Sequence, residues 1–161
     1  MYTTLKLLHL LGVVLLVGNI IVTALWKTLA DRSGNPATVA FAQRTVALAD
    51  WVFTLPGVLL VLIGGYGMAA RRPWPLHGLR WLEWGQGFFW LTVLIWVIVL
   101  VPTQRRLVAA SEEGRRTGAF PPEFGRLSNR WAVWGGIATL LPLIVPVSHG
   151  DEALNVSAVL R

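Results

Sequence analysis

Four long stretches without one charged side chain decide what this chain can fold into. Leu7 to Trp26, Trp51 to Ala70, Trp84 to Val101 and Trp131 to Val147 contain no Asp, Glu, Lys or Arg. Each is close to the roughly 20 residues that a helix needs to cross a bilayer. None alternates polar with apolar residues, and barrel strands are about half this length, so strands are a poor fit. The rest of the composition agrees. Apolar residues make up 55%, charged residues 14%, and the mean hydropathy is +0.60. A soluble domain carries about a quarter charged residues, so this chain lacks the polar surface to face water on all sides. That excludes a soluble globular enzyme and a disordered chain. The absence of Cys excludes a disulfide framework, a thiolate nucleophile and a cysteine-held zinc or iron–sulfur site.

The expected architecture is therefore all-α: an integral membrane four-helix antiparallel bundle forming one domain over residues 1–161. Its spans fall near 5–26, 51–70, 84–101 and 131–147. The first is longer than the apolar core of a signal peptide (about 7–15 residues), and no small-residue cleavage site follows, so it reads as a retained helix. Nine Trp fit a chain with two membrane–water boundaries.

The positive charges flank the spans, as topology signals do, so the net charge of +6 does not point to nucleic acid. Loops one and three hold Lys27, Arg32, Arg44, Arg105, Arg106, Arg115, Arg116, Arg126 and Arg130; the other side holds Lys6, Arg71, Arg72, Arg80 and Arg161. Nine against five puts these two loops in the cytoplasm and both termini outside, in a bacterial inner membrane. Both loops should carry helical extensions. One starts at Asn35-Pro36 and runs into span two; the other covers Thr103 to Arg116 and stops at Gly118.

Residues three, four and seven apart share a helix face. On that basis each span has one small or polar stripe: His9, Gly12, Leu16, Asn19 and Thr23; then Asp50, Thr54, Gly57, Val61, Gly64 and Met68. Glu83, Gln86 and Trp90 follow in span three, and Gly135, Thr139, Pro142 and Pro146 in span four, pointing at His149. Small residues on such stripes let membrane helices approach closely. Asp50, beside Trp51, reads as an interface anchor reached by water or an Arg, and Glu83 as the partner of Arg80 on one helix face.

His9 is an ionisable residue inside a span, which marks a functional position. Imidazole is a common ligand for haem iron and other metals, and helical bundles hold b-type haem through axial ligands that project inward. Haem b on His9 is the expected cofactor, beside the plainer reading of a neutral His9 that hydrogen-bonds to a neighbouring helix or reaches the outer interface. His149, Met68 and His77 rank in that order for the second axial position. The expected roles are electron transfer or porphyrin-linked oxidation. Two alternatives remain: a cofactor-free accessory subunit, as part of a homo-oligomer or a larger membrane complex, and a small transporter. No His-x-x-Glu-His pattern and no phosphate-binding loop is present.

Three segments carry a resemblance: Leu5-Lys6-Leu7-Leu8-His9-Leu10-Leu11-Gly12, Val101-Pro102-Thr103-Gln104-Arg105-Arg106, and Gly125 to Gly135. With them the chain resembles a bacterial family of predicted four-helix integral membrane proteins of unassigned function. More distantly it is similar to the HemJ-type protoporphyrinogen oxidases. That resemblance implies haem b and a ligand role for His9, and sets Arg126-Leu127-Ser128-Asn129 against an Arg-Leu-x-Asn stretch of those oxidases. The chain departs from them at the start of span three, where Glu83 and Gln86 stand in place of a Lys. It departs again at Val145-Pro146, where a Lys-Pro pair is usual.

Overall fold

The computed structural model describes residues 1–71 and 80–148, with side chains for 1–71 and 82–141. Among the described residues there is no strand, and four continuous helices run antiparallel. The first is α1 (Tyr2–Ser33). The second joins α2 (Pro36–Ala49) to α3 (Leu55–Ala69), and the third joins α4 (Arg80–Ile95) to α5 (Val101–Thr117). The fourth is α6 (Phe124–Ser148). The helices Tyr2–Ser33, Pro36–Ala69 and Leu82–Thr117 are each long and apolar enough to cross a membrane. α6 carries the fourth uncharged run and stays helical through Pro142 and Pro146.

The junctions α2–α3 and α4–α5 are not plain α-helix. Asp50–Thr54 and Trp96–Leu100 each form a π-turn. In both, the turn ends two residues before a proline, Pro56 or Pro102. A proline inside a helix lacks an N–H and its ring collides with the carbonyl four residues back, here that of Val52 or Ile98. A widened turn at that carbonyl relieves the collision, so the helix continues. Wide turns of this kind are common at functional positions.

The helix ends follow local chemistry. Gly34 closes α1 with φ of 64°, a backbone shape that glycine adopts without strain. The Asn35 side chain then accepts hydrogen bonds from the N–H groups of Ala37 and Thr38, with Pro36 in the first turn. Gly118, with φ of 83°, ends α5.

Packing divides the molecule in two. At the end where α2 and α5 lie, here called the cap, Val39, Leu107, Ala110, Phe124 and Leu127 form a closed core, with Phe120 and Trp131 against it. The most fully buried side chains of the described residues (Leu107, Gln43, Val39, Val46 and Ser111) all belong to α2 and α5. On the cap surface Arg44 and Arg115 both pair with Glu112. Arg115 foremost holds that carboxyl below the usual Glu range. Away from the cap the helices pack as two pairs, α1 with α3 and α4 with α6. Leu7, Leu11, Val14, Leu59, Ile63, Ile98 and Leu140 stay exposed on the outside. Apolar surface of this extent on every helix suits contact with lipid chains and not with water.

Candidate functional site

The α1–α3 seam is a backbone-to-backbone contact. A methyl group on Gly12 would lie 2.7 Å from the Val61 nitrogen and 2.8 Å from the Gly57 oxygen. One on Gly64 would lie 2.7 Å from the His9 nitrogen and 2.7 Å from the Leu5 oxygen. The stripes read on spans one and two thus face each other, with Gly12, Gly57 and Gly64 as the close-approach points. The stripe on span four behaves differently. A methyl group on Gly135 or Gly136 meets nothing within 4 Å, because α6 touches α1 only sparsely and a cavity lies between them.

His9 sits on the seam, half-buried. Its Nδ1 lies 2.9 Å from the Val61 carbonyl oxygen. A carbonyl only accepts, so Nδ1 is the donor here, and in the neutral ring Nε2 is the nitrogen with the lone pair. The ring passes 3.4 Å from where a methyl group on Gly65 would stand, so Gly65 lies beneath this imidazole and Gly64 beneath the His9 Cβ and backbone. Met68 lies on α3 one turn beyond Gly64 and is half-buried. His149 and His77 lie outside the described residues. Among the described residues no group of three or more His, Cys, Asp or Glu side chains gathers to hold a metal ion.

Two to three turns nearer the cap lies a second polar site, whose cooperation the sequence reading missed. Asn19 Nδ2 donates to Asp50 Oδ1 at 3.1 Å and to Thr54 Oγ1 at 2.9 Å, and Thr54 Oγ1 donates to Asp50 Oδ1 at 3.0 Å. The Gln104 amide, assigned by its neighbours, donates to Asp50 Oδ2 at 3.0 Å and accepts from the Ala47 N–H at 3.1 Å. The Trp96 indole borders the same carboxyl, its N–H without a partner at hydrogen-bonding geometry. Two α-helices, α1 and α5, and both π-turns therefore meet at one carboxylate. The expectation that Asp50 anchors to water or an Arg fails in its second half: its partners are neutral amide and hydroxyl groups.

Asp50 and Trp96 together divide two cavities. The larger, about 550 Å³, lies between the helix pairs and is lined by Leu16, Ile20, Thr54, Val58, Phe89, Thr92, Val93, Trp131, Gly135 and Thr139 among others. The smaller, about 230 Å³, is lined by Ala47, Trp51, Val101, Gln104, Arg105 and Val108. His9 lines neither. The structure thus keeps the His9 seam and the Asp50 cluster apart as two sites.

A third polar group closes α1 onto α6. Lys27 Nζ contacts Asp31 Oδ2 at 2.5 Å and Ser128 Oγ at 2.7 Å, and Ser128 Oγ donates to Asp31 Oδ2 at 2.6 Å. The ammonium also stands 5.1 Å from the Trp131 ring centre. Near the far end, Trp90 Nε1 donates to Tyr66 Oη, which donates to Gln86, joining α3 to α4.

In comparison with known proteins, the profile of a family described as a predicted integral membrane protein (DUF2269) matches residues 3–147. No curated protein and no solved structure matches the chain.

Proposed function

The chain belongs to this family of predicted integral membrane proteins, and we propose that it carries haem b on His9 and acts in electron transfer or porphyrin-linked oxidation. One observation supports the reading: Nδ1–H is committed to the Val61 carbonyl, so Nε2 is the ring nitrogen that a metal would take. Metal-bound histidines almost always spend their other ring N–H in this way, fixing tautomer and ring direction. The donor chemistry of His9 fits such a group, while neither of the two cavities reaches its ring. A bound haem would supply a one-electron couple at its iron. His9 would hold the iron, Val61 would orient His9, and Gly65 would leave room for the imidazole. For a second ligand the sequence ranks His149 first, which lies outside the described residues, and Met68 on α3 is the candidate among the described ones.

The purified protein should show a Soret band and sharp α and β bands on reduction. His9→Ala should lose them while still fractionating with the membrane. Met68→Leu should lower the reduction potential if Met68 is the second ligand, since a thioether raises it relative to a second imidazole. Haem-free protein from haem-replete cells would return the chain to its second reading, an accessory subunit of a larger assembly. Phe41 and Leu48, 73% and 63% exposed on α2 and outside the uncharged runs, favour that second reading.

The proposed setting is a bacterial inner membrane, with the cap in the cytoplasm and both termini outside, as the Lys and Arg distribution favours. A reporter fused after Ser111 should read as cytoplasmic and one fused after Arg161 as external. The reverse result would invert the molecule and place His9 in the inner half.

A further inference from the structure

The Asp50 carboxyl stands at the wall of an apolar chamber, and nothing of opposite charge answers it. Its partners are Asn19, Thr54 and Gln104, all neutral donors. Among the described residues no Lys, Arg or His pairs with it; Arg105 lines the smaller cavity together with Asp50 and not the larger one. Both oxygens of the carboxyl accept hydrogen bonds, as an ionised carboxylate does, and a buried charge of this kind is costly without a cation to balance it.

The chamber beside it has the size and lining of a ligand site. Its volume of about 550 Å³ falls within the 300–1,000 Å³ range usual for pockets that take drug-sized molecules, which are mostly apolar with a few placed polar groups. Ile20, Val58, Phe89 and Val93 offer hydrocarbon, and Trp96 offers an aromatic ring, a group that attracts cations; the Trp131 ring already carries Lys27. The chamber opens between α1 and α6, where Ile21 and Leu140 are exposed on the lipid-facing side. The large open space at Gly135 and Gly136 keeps it clear.

We propose that this chamber binds one amphipathic organic cation, with its positive charge against Asp50 and its apolar body between the two helix pairs. Charge complementarity selects this occupant. An acyl chain would fill the apolar part and leave the carboxylate unanswered, and an anion would be repelled by it. The site is independent of His9, which lines no part of the chamber.

The test uses two probes of nearly equal shape and opposite charge, tetraphenylphosphonium and tetraphenylborate. Their binding to the full chain in phosphatidylcholine nanodiscs is measured by equilibrium dialysis, with empty nanodiscs subtracted. The phosphonium should bind saturably at one site per chain, and the borate more weakly by about tenfold or more. Asp50→Asn keeps the size of the side chain and its acceptor oxygen, so the bundle should form with unchanged helical circular dichroism. It should weaken phosphonium binding by about thirtyfold or more, as loss of one partner of a buried charge pair does. Gly135→Leu places its side chain in open space and should reduce binding by filling the chamber, with Asp50 intact. Equal binding of both ions would make the chamber an uncharged groove for lipid chains and overturn the proposal. So would an unaltered affinity in either variant, or no saturable binding of the phosphonium by the unsubstituted chain.

Discussion

Gly64→Val is expected to force α1 away from α3 and take His9 off the Val61 carbonyl. The clash of the first added carbon is with backbone atoms, the His9 nitrogen and the Leu5 oxygen at 2.7 Å, and these cannot rotate out of the way as a side-chain tip can. Whole helices must shift. Overpacking costs about 1–3 kcal/mol where side chains can adjust, and a fixed backbone neighbour puts this substitution at the upper end or beyond. Unfolding in mixed micelles should therefore show a large loss of stability, together with loss of any His9-dependent spectrum. Gly18→Val is the matched control, because an added carbon there meets nothing within 4 Å. Equal stability of the two variants would mean that the seam is looser than the structure shows.

The second large effect is expected at Lys27, which is only 3% exposed although it follows the first uncharged run by one residue. Lys27→Met removes the cation and leaves Asp31 and Ser128 facing each other. Removing one member of a fully buried ion pair costs about 3–5 kcal/mol. Asp31 keeps 22% of its side chain exposed and can regain some hydration, so the expected loss is nearer 2 kcal/mol. The double variant Lys27→Met, Asp31→Leu should recover most of it, because the charge left alone has gone as well. A double-mutant cycle of unfolding free energies measures this directly. Losses that simply add would show that the two side chains act separately and that the cluster is not a unit.

The sequence made some of this legible because long uncharged runs and helical spacing are local properties. The runs placed the helices. The period of three and four put His9, Gly12, Leu16 and Asn19 on the face that meets α3, and Asn35-Pro36 marked the start of α2 through its own capping chemistry. Long-range pairing was not legible. Lys27 counted as one more topology charge, since nothing near it in the chain shows that Ser128, 101 residues away, closes over it. Asp50 read as an anchor because its long-range partners come from α1 and α5, and only packing brings Asn19 and Gln104 to one carboxyl. Gly135 read as a close-approach point like Gly57. Composition cannot distinguish a glycine that admits a neighbouring helix from one that borders a cavity. The π-turns did leave a mark in the sequence: a proline, Pro56 or Pro102, deep in what otherwise reads as continuous helix.

Those two turns also govern how the chain tolerates changes in its length. Each residue of an α-helix advances the face by about 100°, so one residue gained or lost swings everything beyond it out of alignment. A deletion within Leu55–Ala69 would turn Gly64 and Val61 away from α1 or carry the cap out of step with the spans. A π-turn already holds the surplus residue. Losing one position within Asp50–Thr54 or Trp96–Leu100 would convert a wide turn to an ordinary one and leave the angular phase on both sides intact. Each of these two long helices therefore has one joint where its frame can be reset, and both joints lie at the level of Asp50. The cap and the spans meet there as two separately phased modules, which could diverge in length and sequence without either losing its own alignment.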